Sequence, residues 1–178
     1  MKKIKFILLG LLIIGNLSCS SDDDSVESFD IVGTWTITEG YIEPGTMELD
    51  MGGVDLPVEY SGSFVNIDDE NRLNFNEDKT FTSIVNNIAL EMELVVMGTS
   101  QTETFEMNNS FGEGTWELNG SELKINNDNG TSIKYHIDEL NGDTLVMSSN
   151  VKDMVPDGGS NPMLESMDID IKITLKRI

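Results

Sequence analysis

The sequence predicts an all-β protein built as an antiparallel up-and-down barrel of about eight to ten strands. Asn-Gly pairs at 119–120, 129–130 and 141–142 each separate two short runs of alternating apolar residues, and this pair accepts the positive φ angles of a hairpin turn. Strict period-two alternation also marks residues 29–38 and 167–178. A barrel is favoured because closure removes exposed sheet edges, and a β-sandwich is the alternative.

The remaining strands follow from the same alternation, taken in chain order. The first strand, 29–38, places Trp35 on its apolar face. Residues 47–60 are predicted to form two strands, or one long strand with a bulge at Gly52-Gly53, and Pro57 indicates a sheet edge or strand end.

A middle strand and a last strand complete the series. Residues 88–97 alternate with a two-residue period that favours a strand over a helix, and 102–107 is its expected partner. The hairpins of 111–149 follow, then a loop rich in Pro and Gly at 155–162. The final strand, 167–178, alternates most regularly, with Met, Ile and Leu pointing inward and Asp, Lys and Thr pointing outward.

Composition limits the classes of partner. The chain has 178 residues, with 11 Lys+Arg against 32 Asp+Glu and a formal net charge of −21, which suits one domain with a solvated acidic surface. Nucleic acid is excluded as a partner because its phosphates would be repelled. Cys19 is the only cysteine, so no internal disulfide forms. The sequence carries no signal for oligomeric state.

The N-terminus has the pattern of an export signal. Three lysines within the first five residues precede an apolar stretch, 6–15, and a short segment leads to Cys19. This arrangement resembles the bacterial lipoprotein signal, although Asn16 stands where that pattern usually has Leu. The resemblance implies a signal peptide of residues 1–18 and an acylated Cys19 that anchors the protein to a membrane. The alternative is an ordinary secretory signal with an incidental thiol.

A polar, acidic segment follows the cysteine, and we expect residues 19–28 to be a flexible tether. Its first part resembles the export signal that Bacteroidetes lipoproteins carry for display on the outer face of the outer membrane, and the alternative is a linker with no sorting role. The resemblance implies a lipid-anchored outer-membrane protein, facing the periplasm or the cell surface. The residues of this export signal are Ser20, Ser21, Asp22, Asp23 and Asp24.

Short motifs in the body of the chain point to a family. These are a Gly-x-Trp at 33–35, a strand-turn-strand segment at 73–81, a second Gly-Thr-Trp at 114–116, and Leu-Lys-Arg at 175–177. Together they resemble the lipocalin superfamily, particularly the lipocalin-like domains of Bacteroidetes lipoproteins. The resemblance implies a lipocalin-like (calycin) barrel over 29–178. It also implies that Arg177 stacks on the Trp35 indole at the closed end, a cation–π contact worth up to about 2 kcal/mol.

The expected function depends on what fills the barrel. A barrel of this size holds one small ligand or is filled by its own side chains. Phe81, Trp116, Tyr135 and Met147 are the candidate lining of a cavity, and ordinary core packing is the alternative. The leading expectation is non-catalytic binding of a small apolar or amphipathic ligand without a cofactor. The alternative is a filled-core interaction or structural module that recognises protein or glycan through loops such as 156–162.

Catalytic and metal chemistry find little support in the sequence. His136 is the only histidine and lies on the polar face of a strand, so neither a catalytic triad nor a zinc site is expected. Pairs of acids such as Glu91/Glu93 and Glu113/Glu117 arise by chance in so acidic a chain. Acidic turns at 68–71 and 126–130 lack the spacing of an EF-hand loop. The sequence therefore predicts a protein that is not an enzyme and has no metal site.

Overall fold

A computed structural model describes residues 30–50, 52–107, 110–154 and 168–178, with the side chain of residue 50 left out. The expected signal peptide, the tether, residue 29 and the loop at 155–162 lie outside these residues. The elements are β1 (Gly33–Asp50), β2 (Asp55–Val65), β3 (Arg72–Phe75), β4 (Thr80–Ile84), β5 (Ala89–Val96), β6 (Thr99–Glu106), β7 (Gly114–Asn119), β8 (Glu122–Asn127), β9 (Ser132–Asn141), β10 (Thr144–Asn150), α1 (Val151–Met154) and β11 (Asp170–Arg177).

Eight of these strands close into an antiparallel barrel, which confirms the predicted fold. Around the barrel the order is β1, β3, β4, β7, β8, β9, β10 and β11, and β11 pairs with β1 to complete the circle. The closing seam aligns Trp35 with Arg177 and Ile37 with Leu175. β1 therefore contacts both β3 and β11, and the barrel has no free edge along this seam.

The other three strands extend the sheet away from the barrel. The second half of β1 pairs with β2, β2 pairs with β5, and β5 pairs with β6. We call these three strands, with the second half of β1, the extension. With the eight barrel strands, β2, β5 and β6 make eleven strands in the described part of the chain, one more than the upper end of the eight to ten predicted from the sequence. The expected partnership of 88–97 with 102–107 is confirmed, and 47–60 does form two strands joined at Gly52-Gly53.

The first strand does not end near residue 38, as the alternation predicted, because β1 continues through two irregularities to residue 50. Its register shifts between Ile37 and Glu39 against β11, and between Ile42 and Gly45 against β2. These breaks interrupt the period-two pattern and hide the continuity of the strand.

Two glycines let β1 pass from the barrel into the extension. A Cβ at Gly40 would overlap the ring of Phe64, and a Cβ at Gly45 would lie 2.5 Å from the Tyr60 hydroxyl oxygen. Both rings belong to β2, so its aromatic side chains cover bare backbone in the neighbouring strand.

Two of the three hairpin turns lie one residue later than their Asn-Gly pairs suggest, whereas Asn129-Gly130 lies within its turn. Asn119 pairs with Glu122 at the end of the β7–β8 ladder, which leaves Gly120 and Ser121 as the two-residue loop. Gly120 has φ 61° whereas Asn119 does not have a positive φ, and Gly142 occupies the same place in the β9–β10 turn with φ 57°. A positive φ only at the first loop residue is the pattern of a type II′ turn.

Apolar side chains from all eight barrel strands fill the interior. Segments 85–88 and 110–111 cover the end of the barrel away from Trp35, together with α1. There the Ser110 hydroxyl donates to the Met154 carbonyl, and the Ser83 hydroxyl donates to the Phe111 carbonyl over 2.6 Å. The largest fully buried side chains of the described chain are Trp35, Trp116, Tyr135, Phe75, Phe81, Ile31, Ile37, Leu73, Ile88, Leu90, Met92 and Met107.

Helical structure is short: within the described ranges, no helix has the length and apolar character needed to cross a membrane.

Replacing Gly114 by Ala should destabilise the barrel by about 2–3 kcal/mol. A Cβ there would overlap the backbone carbonyl oxygen of Asn126, which the β7–β8 ladder holds in place. The measurement is the free energy of unfolding from urea titration. Gly112→Ala is the matched control, because its Cβ would lie 3.1 Å from the side-chain oxygen of Asn127, which can shift. Equal losses in the two variants would contradict the steric explanation.

Candidate functional site

The seam between the first and last barrel strands contains a buried indole covered by a cation. Trp35 is fully buried, and its Nε1 donates a hydrogen bond to the Ile31 carbonyl over 2.8 Å. The guanidinium carbon of Arg177 lies 4.3 Å from the centroid of the Trp35 ring. Guanidinium groups stack on indole faces because the ring quadrupole attracts the positive charge. The structure thus places these two residues together as the family resemblance implies.

Gly33 leaves the space that this guanidinium occupies. Its φ of 140° is disfavoured for other residues, and a Cβ at this position would lie 2.6 Å from Nη1 of Arg177. The same Nη1 donates to the Val32 carbonyl over 2.5 Å, and Nη2 donates to the Asp30 carbonyl over 3.0 Å. The Gly of the Gly-x-Trp motif therefore admits the arginine, whose fork fixes the chain entering β1.

The second Gly-Thr-Trp has a similar arrangement that the sequence analysis missed. Lys79 Nζ lies 3.7 Å from the centroid of the Trp116 ring, and Trp116 Nε1 donates to the Asn76 carbonyl over 3.1 Å. Lys79 adopts φ 68° in the turn between β3 and β4. Repetition of Gly-Thr-Trp was the available signal, but only tertiary structure reveals which cation covers the second indole.

Asp78 holds the turn that carries this lysine. Its carboxylate accepts hydrogen bonds from the Thr80 hydroxyl over 2.6 Å and from the Thr80 backbone N–H over 3.0 Å. These bonds favour the ionised form, so they lower the pKa of Asp78.

The four candidate lining residues all point into the barrel and are buried. Phe81 and Trp116 belong to one aromatic cluster, because the ring centroid of Phe75 lies 5.1 Å from that of Phe81 and 5.8 Å from that of Trp116. Tyr135 lies on β9 opposite Leu123, and Met147 lies on β10 opposite a neighbouring β9 residue. The four therefore divide into an aromatic cluster under the β3–β4 turn and a pair on adjacent strands.

Two buried polar atoms stand out within this apolar interior. The Tyr135 hydroxyl and the Asn127 Oδ1 are fully enclosed, and no described residue forms a hydrogen bond with either. Burial raises the pKa of Tyr135 above its ordinary value, so the group stays a neutral phenol and a hydrogen-bond donor. An unsatisfied buried polar atom costs about 1–3 kcal/mol, and each such atom is a potential partner for a polar group entering the barrel.

Asn71 is a buried polar residue whose role the sequence did not indicate. Its Oδ1 accepts from the Ile37 backbone N–H over 2.6 Å, and its Nδ2 donates to the Ile37 carbonyl over 3.2 Å and to the Asp68 carbonyl. β3 pairs with β1 only from Gly33 to Trp35, so beside Ile37 the ladder on that side has ended. The Asn71 amide therefore replaces a missing strand neighbour.

The residues considered for catalysis and metal binding lie on the outside. His136 is exposed, with Nδ1 3.3 Å from the Ser121 hydroxyl, and Glu91, Glu93, Glu113 and Glu117 are exposed as well. Across the described ranges, no three His, Cys, Asp or Glu side chains group as a metal site would require. The acidic turn at 68–71 uses its Asp68 carboxylate to accept the Glu70 backbone N–H over 2.9 Å.

Grooves lined by described residues lie on outer surfaces. One, of about 350 Å³, lies on the extension and includes Pro44, Glu59, Tyr60 and Glu93 in its lining. Another, of about 250 Å³, crosses β8 to β11 beside His136. Their linings mix polar and apolar surface, whereas the interior of the barrel is apolar.

Comparison with known proteins identifies the domain. A family model described as a lipocalin-like domain matches residues 31–147, which span β1 to most of β10. Neither the curated proteins nor the solved structures include a match to this chain.

Arg177→Met should lower the free energy of unfolding by about 2–4 kcal/mol, because it removes the stacked charge and its bonds to two carbonyls. Lys79→Met should cost less than about 1 kcal/mol, since that ammonium is exposed. Urea unfolding of both variants measures the difference, with Lys176→Met as the control for loss of a surface charge. Similar costs for all three would show that the Arg177–Trp35 contact contributes little.

Proposed function

Because the chain belongs to the lipocalin-like domain family, we propose that it is a lipid-anchored outer-membrane protein whose barrel binds a small ligand without catalysis. The ligand is apolar or amphipathic. The family's barrel is a ligand-binding fold, and the interior of this one is lined by apolar and aromatic side chains, which favour such molecules.

The observation that carries this proposal is the hydroxyl of Tyr135, which has no hydrogen-bond partner among the described residues. The side chain is about 1% exposed and lies between Ile133 and Ile137 on the inner face of β9. A phenol kept neutral by burial offers one hydrogen bond in an apolar setting, where the bond is stronger than in water. A ligand with an apolar body and one acceptor oxygen matches that lining, and the hydroxyl would orient it.

The anchoring part of the proposal is supported by the sequence of residues 1–28. A basic start, a short apolar stretch and Cys19 fit an acylated lipoprotein. Multiple acyl chains hold a protein firmly to a bilayer, whereas one holds it marginally. We place the barrel at the outer membrane, and the acidic residues Asp22, Asp23 and Asp24 favour display on the cell surface.

The absence of catalysis is proposed from the placement of reactive side chains. His136 contacts the Ser121 hydroxyl at the surface, and Glu91 and Glu93 project from an exposed face of the extension. Neither belongs to the apolar interior, where the ligand would be held.

A filled-core interaction module is the second candidate, and one observation favours it. The interior side chains are packed, and segments 85–88 and 110–111 cover one end of the barrel while Arg177 covers the other. A barrel of this kind would act through its outer surface and loops. The two candidates differ in whether a ligand enters the interior.

Binding of N-phenyl-1-naphthylamine, a neutral apolar dye, to residues 26–178 distinguishes them. We expect saturable binding with enhanced fluorescence, and displacement by decanol. Tyr135→Phe should retain the dye but weaken displacement by decanol roughly tenfold, since one hydrogen bond is lost. It should also raise the free energy of unfolding by about 1 kcal/mol, because an unpaired polar atom is removed.

Tyr60→Phe is the matched control, since this half-buried tyrosine belongs to the extension, and it should change neither property. Absence of saturable dye binding by the folded protein would favour the filled-core module. If the dye binds saturably and decanol displaces it equally well from Tyr135→Phe, the tyrosine does not contact the ligand.

Acylation of Cys19 is tested by expressing the full chain in a lipoprotein-processing bacterium fed an alkyne-tagged palmitate. The protein should carry the label and be found in the outer-membrane fraction. The Cys19→Ser variant should be unlabelled and absent from that fraction. Replacing Asp22, Asp23 and Asp24 by Asn should reduce cleavage by protease added to intact cells. The control for the loss of three charges is a variant with three Asp→Asn changes on the barrel surface instead of the tether. A labelled Cys19→Ser protein would contradict the assignment of the anchor.

A further inference from the structure

The extension leaves one strand with an unpaired side. β6 pairs with β5 along its whole length, from Thr99 opposite Val96 to Glu106 opposite Ala89, and no described strand pairs with its other side. Every residue of β6 is exposed except the half-buried Phe105. Barrel closure removes edges at the seam, but the extension restores one here, and such an edge is a template for an added strand.

The hydrogen-bond pattern shows which groups of β6 face outward. The Met107 backbone N–H donates to the Ile88 carbonyl over 2.9 Å. Antiparallel pairing alternates, so the odd-numbered residues 99–105 direct their backbone groups toward β5. Ser100, Thr102, Thr104 and Glu106 direct theirs away from the sheet. Four residues therefore offer both N–H and carbonyl groups along one open side.

Charge on the extension selects the chemistry of the added strand. None of its four strands contains Lys or Arg. Glu91 lies opposite Thr104 and Glu93 opposite Thr102 on the same face, and Glu106 lies further along the edge. All three carboxylates are exposed. The field beside the open edge is therefore negative, and it favours cationic side chains.

A second copy of this chain is a poor occupant of the same edge. Each chain carries a net charge of −21, and an antiparallel register that places Glu103 opposite Glu103 of the other copy adds a direct repulsion. Like charges placed across a strand pair are destabilising. Acidic side chains on the edge thus discourage self-association while they attract a strand of opposite charge.

We propose that the free edge of β6 is a docking site for a basic, extended segment of another protein, which adds to the extension as a further antiparallel strand. Main-chain hydrogen bonds to residues 100–106 supply affinity, as in other cases of strand addition. Alternate Lys or Arg side chains of the segment lie over Glu91, Glu93 and Glu106 and supply selectivity. The proposal does not depend on ligand binding in the barrel.

The probe is an acetylated and amidated peptide of four Lys-Thr repeats, titrated calorimetrically into the full chain in neutral detergent micelles. We expect saturable one-to-one binding that weakens with added salt. A Glu-Thr peptide of equal length should not bind. Peptide binding should leave occupancy of the barrel by apolar dye unchanged, which separates this result from the test of ligand binding.

Thr104→Pro tests whether the backbone edge takes part. Proline removes an N–H that faces away from β5 and is tolerated at such edge positions, so the fold should persist and peptide affinity should fall roughly tenfold, about 1.4 kcal/mol. Thr104→Ala is the matched control and should bind as the unaltered protein does. Unchanged affinity in a folded Thr104→Pro protein would reduce the effect to simple charge attraction and overturn the proposal.

Charge reversal is the second test and does not depend on the proline variant folding. Glu91→Lys combined with Glu93→Lys should abolish binding of the Lys-Thr peptide and create binding of the Glu-Thr peptide. Retained preference for the Lys-Thr peptide would place the site elsewhere. Sedimentation of the unaltered chain measures whether two copies pair. If the chain is a dimer and Thr104→Pro dissociates it, a second copy occupies the edge, and the proposal is overturned.

Discussion

The contact of Arg177 with Trp35 joins the two strands whose pairing turns a curved sheet into a closed barrel. Along this seam the indole is buried, the guanidinium covers it, and Gly33 leaves the required space. If the seam opened, β1 and β11 would each present an unpaired edge, and the apolar interior would meet water. As at every junction of a closed ring, the interior stays covered only while this pairing holds.

A second constraint is that β1 belongs to both the barrel and the extension. Its first residues pair with β3 and β11, and its last residues pair with β2. The transition is accommodated by Gly40 and Gly45 under aromatic rings and by the Asn71 amide at Ile37. The extension is thus fixed to the barrel by continuous backbone. A strand added at β6 would lie four strands along the sheet from β1.

Much of this architecture was accessible from sequence because β-strands expose alternate residues to the core. The last strand and the hairpins of 111–149 keep a two-residue period over most of their length, and most of their inward residues among those described are buried as predicted. The course of β1 was not accessible, because its bulges disrupt the period between Ile37 and Gly45.

The candidate site was predictable to a smaller extent. Trp35 and Arg177 could be paired only through the family resemblance, since their contact joins distant parts of the chain. The placement of Lys79 over Trp116 depends on a positive φ at Lys79 in a tight turn. Whether a described residue forms a hydrogen bond with the Tyr135 hydroxyl depends on which side chains surround it in the folded barrel. The sequence alone does not show those neighbours.

Closure by residue 177 also has a kinetic consequence. The seam links segments separated by nearly all of the domain, and contacts of such long range slow folding because loop entropy must be lost before they form. The barrel cannot close until β11 has left the ribosome and any translocation channel. Until then the chain is a partly ordered sheet with exposed edges. The closed interior therefore forms only after synthesis of the domain is complete.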